Sequence, residues 1–220
     1  MKYYPVCLDI RGRLCLVVGG GSVGTRKVGT LLDCQARVKL VAPQVTKNLE
    51  TYASQGLIEH KKRMYKPTDL DGVFLVIGAS NNEALNRQIS KDAERLGKIC
   101  NIADRPKVSN FILPSIIKKG DLTIAISTSG KSPAFAKKLR KDFENKFGNE
   151  YAQFLNLMGA VREKLLSKEH EPEAHKHIFN KLIDSNLLHL IKEKRIEDID
   201  NVLHKILGKG FTWIALINKE

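Results

Sequence analysis

The chain is poor in the residues that mark several classes of protein. It has four cysteines in 220 residues, widely spaced and without a C-x-x-C pair, which argues against a disulfide framework and a zinc site. Seven prolines and no biased tract argue against a disordered or fibrous chain. No apolar run approaches the ~20 residues that cross a bilayer, and the N-terminus lacks an apolar stretch of signal-peptide length. We therefore expect a cytoplasmic globular protein with reduced thiols and no membrane partner.

Acidic side chains are also scarce. The chain has 24 of them against 37 basic ones, a net charge of +13. The surplus lies early: 18 basic and 10 acidic up to residue 113, 8 and 4 over residues 114–150, and 11 and 10 beyond. Such a field favours an anionic partner, whether nucleic acid, an acidic membrane surface or a polyanionic small molecule, and charge alone does not choose. An aromatic content of 6% and the lack of an RNP, zinc-finger or basic-arm motif count against nucleic acid.

The first hundred residues alternate apolar runs with amphipathic stretches of helical period, which predicts βαβ units and a Rossmann-type parallel sheet. Strands are predicted at Leu14–Val18, Arg37–Ala42, Ile58–Lys62, Val73–Ala79 and Lys98–Ile102. Helices are predicted between them at Ser22–Asp33, Thr46–Gln55 and Asn82–Leu96, the last one capped by Asn81.

After Asp104 the pattern changes, and we place a domain boundary at Leu113. Two short β-rich runs, Phe111–Leu113 and Thr123–Ser127, are followed by a basic helix that begins at Ser132-Pro133 and extends to Gly148. The rest reads as helices, with a short closing strand in the tail. The predicted fold class is α/β: a Rossmann-type domain over residues 1–113, a small α+β domain over 114–149 and an all-helical domain over 150–220.

The sharpest motif is a glycine-rich turn, V-V-G-G-G-S-V-G-T-R-K. Gly19, Gly21 and Gly24 match G-x-G-x-x-G directly after a strand and at the start of a helix. This context predicts that a dinucleotide diphosphate approaches the turn, with free N–H groups near Ser22 and Val23 facing the anion. A P-loop would need lysine directly after the last glycine, so nucleotide hydrolysis is disfavoured.

Two other strand ends supply candidate cofactor contacts. The fingerprint expects Asp or Glu after the second strand to hold the ribose hydroxyls, but this chain has Pro43 and Gln44 there, so Gln44 or backbone groups would bind ribose. Ala79 and Ser80 follow the fourth strand, at the sheet edge where open α/β proteins bind ligands.

Asp104 is the best-placed catalytic carboxylate, two residues after the fifth strand, and Asn101 is a candidate to orient it and to contact the cofactor. On residue type alone, a turn-forming aspartate is the more common outcome. His175 and His177 are two residues apart and do not share a helix face, so no metal site is predicted.

The segment S-T-S-G-K-S-P combines hydroxyls, a lysine and a helix N-terminus, which suits a carboxylate or phosphate. A capped helix start without a ligand is an equally good reading, but the basic residues that follow favour an anion site. The candidate substrate-binding residues are Ser127, Thr128, Ser129, Gly130, Lys131 and Ser132.

Four blocks in order, G-G-G-S-V-G-T-R-K, C-N-I-A-D-R-P, N-F-I-L-P-S-I-I and I-S-T-S-G-K-S-P, resemble the precorrin-2 dehydrogenase and sirohydrochlorin ferrochelatase family, the siroheme synthases. The resemblance covers residues 1 to about 145. It implies NAD-dependent oxidation of precorrin-2 to sirohydrochlorin and, in some members, insertion of Fe²⁺ at the same site.

The resemblance also implies an intertwined homodimer formed by the central domain, and an active site in the cleft between domains. It assigns Asp104 a catalytic role and Thr128 a place in the tetrapyrrole site. Thr128 replaces the serine of some members, which puts a serine-specific role in doubt. Gly24 replaces an alanine common in the family, a change expected to preserve close packing.

Two other functions stay open from the sequence. A regulatory module that senses NAD would carry the same glycine turn, but the second and fourth blocks count against it. A nucleic-acid-binding protein would suit the charge and lacks a supporting motif.

Overall fold

A computed structural model describes residues 2–103, 105–167 and 172–217. The chain forms two compact units, Met1–Leu113 and Pro114–Glu220.

The first unit is built on a five-stranded sheet in which every neighbouring pair is parallel. The spatial order is β3-β2-β1-β4-β5. The strands are β1 (Leu14–Val18), β2 (Arg37–Val41), β3 (Ile58–Lys61), β4 (Leu75–Gly78) and β5 (Ile99–Ile102). The helices that connect them include α1 (Ser22–Asp33), α2 (Lys47–Ser54) and α3 (Glu83–Arg95). The predicted Rossmann-type fold is confirmed, and the observed strand order places β1 beside both β2 and β4.

Both faces of this sheet are covered, which explains why its central strands read as continuous apolar runs. Four of the five residues of β1 are buried. Cys15 and Val17 join the core layer that includes α1, whereas Leu16 and Val18 join the layer that includes α3. The alternation follows from the two-residue period of a strand.

The connection from β3 to β4 is held by a buried carboxylate. Asp69, 4% exposed, accepts hydrogen bonds from the Arg63 guanidinium at 2.6 and 2.8 Å and from the Lys66 N–H at 2.8 Å. The hydrogen bonds from Arg63 hold the pKa of Asp69 below its usual range. This contact is structural, because it fixes the chain between β3 and β4.

The second unit begins with an antiparallel hairpin, β6 (Ser115–Lys119) and β7 (Leu122–Ile126), which turns at Gly120 with a φ of +56°. The helices that follow are α4 (Pro133–Glu144), α5 (Asn149–Leu166), α6 (Pro172–Ile183), α7 (Leu187–Lys192), α8 (Ile196–Leu207) and α9 (Trp213–Ile217). Their core contains the fully buried side chains of Leu157, Val161, Leu187, Ile199 and Leu203.

Several predicted elements differ from the structure. Asn82, not Asn81, caps α3, with its Oδ1 accepting from the Leu85 N–H at 3.0 Å. The strand expected at Phe111–Leu113 forms instead at Ser115–Lys119. It begins after Pro114 because proline has no N–H to donate to a neighbouring strand. The basic helix stops at Glu144, and the predicted closing strand is the helix α9.

In the described residues, no helix combines the length and the apolar character needed to cross a membrane.

Candidate functional site

Four of the strands end at one edge of the first sheet beside residues that the sequence singled out. In a sheet with this order, the chain leaves β1 and β4 toward opposite sides, which opens a crevice at their carboxyl ends. Ligands of open α/β proteins bind at such a crevice.

Gly19 is fixed by the neighbouring strand. It has a φ of +120°, a conformation that residues with a side chain rarely adopt. A Cβ there would also overlap the carbonyl group of Ala79 and come within 2.9 Å of the Ser80 nitrogen. The turn after β1 and the loop after β4 therefore touch, as the predicted roles of Ala79 and Ser80 require.

Gly24 and Gly21 differ in what surrounds them. A Cβ on Gly24 would overlap the carbonyl oxygen of Gly19 and lie 3.9 Å from Val17 Cγ1, so helix α1 packs directly on the turn. A Cβ on Gly21 would meet no atom within 4 Å among the described residues. Gly21 therefore leaves open the space through which a diphosphate would approach.

Helix α1 presents its N-terminus to this space. Its N-cap is Gly21, and none of the described side chains caps it. The N–H groups at Ser22 and Val23 belong to the first turn, whose donors have no partner within the helix. An anion at this position would accept from them and be favoured by the helix dipole.

Gly20 is another position of the turn at which packing requires glycine, and the motif does not specify it. A Cβ on Gly20 would overlap the Gln44 carbonyl oxygen and lie 2.7 Å from Val45 Cγ1. The loop after β2, which carries Pro43 and Gln44, thus packs against the glycine turn. In the fingerprint this position accepts any residue, so only the packing reveals the requirement.

Two threonines, also missed from the sequence, connect the same loop to the turn. The Thr46 N–H donates to the Gly20 carbonyl at 3.0 Å. The hydroxyls of Thr25 and Thr46 lie 2.7 Å apart, and the Thr25 hydroxyl also donates to the Gly21 carbonyl at 3.0 Å. Thr25 stood within the quoted motif, but its partner lies 21 residues away.

The loop after β4 is held by polar side chains. Ser80 Oγ accepts from the Asn82 N–H at 3.0 Å, and the Ser80 carbonyl accepts from the buried Asn86 amide at 2.7 Å. These contacts fix the backbone that lies against Gly19.

Asn101 has a structural contact. It is 8% exposed, and its Nδ2 donates to the Phe111 carbonyl at 3.0 Å. Further along the same edge of β5, the Cys100 N–H donates to Asn110 Oδ1 at 2.8 Å and the Ile102 N–H to Ser109 Oγ at 2.9 Å. The segment that follows thus satisfies the outer edge of the sheet.

Asp104 lies outside the described residues, and the residues on either side of it are anchored. The Ala103 N–H donates to the Gly78 carbonyl at 2.8 Å, and the Arg105 N–H to Ile102 at 3.1 Å. The Arg105 guanidinium contacts Glu83 at 3.2 Å. Hydrogen bonds from Arg87, and then the charge of Arg105, lower the pKa of Glu83.

The loop before α4 holds its hydroxyls in local contacts. Ser127 Oγ accepts from the Ser129 N–H and Thr128 Oγ1 from the Ser132 N–H, both at 3.1 Å. Ser132 Oγ caps α4 by accepting from the Phe135 N–H at 3.2 Å. Each hydroxyl accepts one of these bonds, and a hydroxyl that accepts can also donate its hydrogen, here to a carboxylate.

The same loop is shaped by two residues with positive φ, Ser129 at +53° and Gly130 at +82°. Lys131, between them and the helix, is exposed. Within the described part of the chain, no group of three or more His, Cys, Asp or Glu side chains is placed to hold a metal ion.

Two family models match the chain in sequence order. The first, for NAD(P)-binding, matches residues 6–115, half of the chain. The second, for the central part of sirohaem biosynthesis proteins, matches residues 119–146.

Curated relatives include siroheme synthases of three bacteria. The one from Methylococcus capsulatus is 33% identical over 203 residues, which cover 92% of this chain and 43% of the relative. Those from Nitrosococcus oceani and Neisseria meningitidis are 32% and 31% identical, covering 96% of this chain and 45% and 44% of theirs. The chain thus spans less than half the length of these relatives.

This chain resembles a solved structure, SirC, precorrin-2 dehydrogenase, over the whole length of that structure. The TM-score is 0.76 at 26% sequence identity, covering 90% of this chain and 100% of that one. The chain therefore belongs to the NAD(P)-binding family whose model matches half of its residues, and over most of its length it is similar to the siroheme synthases that its motifs indicated.

Proposed function

We propose that this protein oxidises precorrin-2 to sirohydrochlorin with NAD⁺, in the biosynthesis of siroheme. The observation that carries the proposal is the crevice at the β1 and β4 ends, where an uncapped helix and the open face of Gly21 fit a dinucleotide. The likeness to a precorrin-2 dehydrogenase over the whole of that chain supplies the substrate.

The residues of the crevice fit the parts of a dinucleotide. Gly19 to Gly24 would hold the diphosphate, with Ser22 and Val23 donating from the first turn of α1. Pro43 and Gln44 would contact the ribose, and Ala79, Ser80 and Asn101 would lie toward the nicotinamide. When bound, NAD⁺ supplies the hydride acceptor for the oxidation.

Asp104 would accept the proton that leaves precorrin-2 while the hydride leaves to the cofactor. The two transfers together remove two electrons from the substrate, so the products are sirohydrochlorin, NADH and a protonated Asp104. A carboxylate is ionised at neutral pH and can accept this proton.

Ser127, Thr128, Ser129, Gly130, Lys131 and Ser132 would bind the carboxylates of the tetrapyrrole. The support is chemical: hydroxyl groups that can still donate, a helix N-terminus and an exposed lysine all favour negative charge. The net charge of +13 would attract a polycarboxylate from solution.

NAD rather than NADP is proposed because two basic side chains near the end of β3, Lys61 and Arg63, are paired with carboxylates. Arg63 is held by Asp69, and Lys61 pairs with Glu59 at 2.7 Å. A 2′-phosphate would have to compete with these carboxylates.

We propose that the protein acts in the cytoplasm as a homodimer formed by the second unit. Ile116 and Phe135 are 43% and 52% exposed there, and a two-stranded sheet alone is only marginally stable. We divide this unit functionally into a substrate and dimer region, 114–149, and a helical region, 150–220.

Insertion of Fe²⁺ into sirohydrochlorin is proposed as a second reaction, with Fe²⁺ as a substrate. It releases two pyrrole protons, which Asp104 would accept one after the other and pass to solvent. An anaerobic assay with sirohydrochlorin and Fe²⁺ tests it, and a rate equal to the spontaneous background would leave dehydrogenation as the protein's reaction.

The main experiment mixes the protein with precorrin-2 and NAD⁺ without oxygen and follows absorbance. NADH and the sirohydrochlorin spectrum should appear together at a rate proportional to protein. Binding of NADH with no oxidation of the tetrapyrrole would instead indicate a regulatory NAD sensor, and neither binding nor turnover would refute both functions.

A further inference from the structure

The N-cap of α2 makes an unusual contact. Thr46 occupies this position with extended backbone angles, and a threonine there normally caps its own helix. Here its side chain makes no cap hydrogen bond among the described residues, and its hydroxyl lies 2.7 Å from the Thr25 hydroxyl. The contact thus joins α2 to α1, across 21 residues of sequence.

The direction of these hydrogen bonds is determined by elimination. The Thr25 hydroxyl has one hydrogen and donates it to the Gly21 carbonyl, which can only accept. Thr46 must then donate to Thr25. Together with its own N–H, which donates to the Gly20 carbonyl, Thr46 thus reaches two consecutive carbonyl groups of the glycine turn.

Holding those carbonyls also orients the N–H groups opposite them. A trans peptide is planar, and its C=O and N–H point in opposite directions. With the Gly20 carbonyl directed to Thr46, the Gly21 N–H points away from the loop after β2. With the Gly21 carbonyl directed to Thr25, the Ser22 N–H points out of the helix N-terminus. An anion bound at the turn would accept from these two donors.

We propose that Thr46 is a positioning residue for the dinucleotide, and that it acts through Thr25 and the glycine turn. The inference rests on the proposed function. The same contact lies next to Pro43 and Gln44. The loop that carries them packs so closely on the turn that a Cβ on Gly20 would overlap the Gln44 carbonyl. Thr46 therefore joins two parts of the site in one hydrogen-bonded unit. These are the turn, whose Gly21 and Ser22 N–H groups would donate to the diphosphate, and the loop after β2, which would contact the ribose.

The test compares NADH binding to the full chain by calorimetry in wild type, Thr46→Val and Thr46→Ser. Valine keeps the shape of threonine and removes the hydroxyl, so we expect the Kd to rise about fivefold, the usual effect of one lost neutral hydrogen bond. Serine retains the hydroxyl and should restore the Kd to within about twofold of wild type. In turnover, KM for NAD⁺ should rise in Thr46→Val while kcat stays within about twofold.

The matched control is Thr51→Val in the same helix, where the hydroxyl donates within α2 to the Lys47 carbonyl at 3.1 Å. It should leave the Kd unchanged. Thr25→Val should raise the Kd as Thr46→Val does, and the double variant should be no weaker than the weaker single variant, because both substitutions break one chain of bonds.

Two outcomes would overturn the inference, and a third would overturn the proposed function on which it rests. An unchanged Kd in Thr46→Val with normal binding by wild type refutes it and leaves the proposed function intact. Additive effects of Thr25→Val and Thr46→Val also refute it, and this comparison uses Thr46→Ala, which also lacks the hydroxyl, if the valine variant does not fold. Absence of NADH binding by wild type would instead refute the proposed function itself.

Discussion

The two sheets of this protein differ in how much of each strand is covered. In the first unit, four of the five residues of β1 are buried and β4 is buried throughout. In the second unit, Ile117 is the buried residue of β6, and β7 alternates between half-buried and exposed positions. The difference teaches that the first unit completes its own core and fixes the loops at its strand ends by packing, whereas the hairpin keeps one face exposed or half-buried.

The largest expected effect separates chemistry from cofactor binding in the first unit. Asp104→Ala should lower kcat by at least about 100-fold, the usual contribution of a general base, while the Kd for NADH stays within about twofold. Anaerobic turnover and calorimetry measure the two quantities. Asp71→Ala, which removes an exposed carboxylate of the same unit, should change neither. Normal turnover in Asp104→Ala would remove this residue from the mechanism.

The second prediction distinguishes glycines needed for folding from glycines needed for the ligand. Gly24→Ala should destabilise the protein by about 2 kcal/mol and weaken NADH binding, because its methyl group overlaps the Gly19 carbonyl. Gly21→Ala should keep stability within about 0.5 kcal/mol and still weaken NADH binding, because its methyl group enters the open approach.

Urea unfolding and calorimetry check this pair of variants, and Gly29→Ala is their control. Gly29 lies in the same helix with no atom within 4 Å of a Cβ among the described residues, so alanine should stabilise it by roughly 0.5 kcal/mol. Equal losses of stability at positions 21 and 24 would contradict the distinction.

The third prediction concerns the buried carboxylate of the first unit. Asp69→Asn should lower the free energy of unfolding by about 2 kcal/mol at pH 7, because it removes the charge that Arg63 contacts. Since the folded pKa of Asp69 is lowered, this stabilisation is present above the unfolded pKa of about 4 and is lost as the pH falls through the folded value.

Urea unfolding between pH 7 and pH 3 measures this difference. The wild-type advantage over Asp69→Asn should be constant from pH 7 to about pH 5 and shrink below about pH 4. An advantage that persists unchanged to pH 3 would mean that this stabilisation does not come from the ionised Asp69 carboxylate.

The smallest effect tests the second sheet. Ile116→Lys should weaken the proposed homodimer by at least about tenfold, because a charge would be buried in the interface, while the free chain stays folded. Analytical ultracentrifugation over a range of concentrations measures this change. Leu96→Lys adds the same charge at a position of the first unit that is similarly exposed, 45% against 43%, and should leave the dimer intact. Equal behaviour of the two variants would remove Ile116 from the interface.

Much of the first unit was predictable because its signals are local. The strand Leu14–Val18 and the helix Ser22–Asp33 were predicted with the bounds that the structure shows. Errors in the type and bounds of the predicted elements were greatest in the second unit, where adjacent segments are similar in composition. The strand of the second unit was misplaced to Phe111–Leu113, and the final apolar segment, predicted as a strand, forms the helix α9 because it packs on α5 and α8.

The same division applies to the candidate site. The glycine motif was enough to predict the tight turn between β1 and α1, whereas the cofactor contacts of Ala79 and Ser80, inferred from strand ends, stay predictions. The close packing expected at Gly24 is present, and only the structure shows that a methyl group there would overlap the Gly19 carbonyl. Gly20 and Thr46 could not be predicted, since no motif connects positions so far apart in the chain.

By itself, then, the sequence determined the type of fold, the glycine turn and the family, because periodicity, chain reversals and short motifs are properties of neighbouring residues. The tertiary structure alone decided which glycines have room for a methyl group, that Asn101 holds Phe111, and that two threonines join the turn to the loop after β2. These depend on the approach of backbones that are distant in sequence, and packing density, not composition, sets those distances.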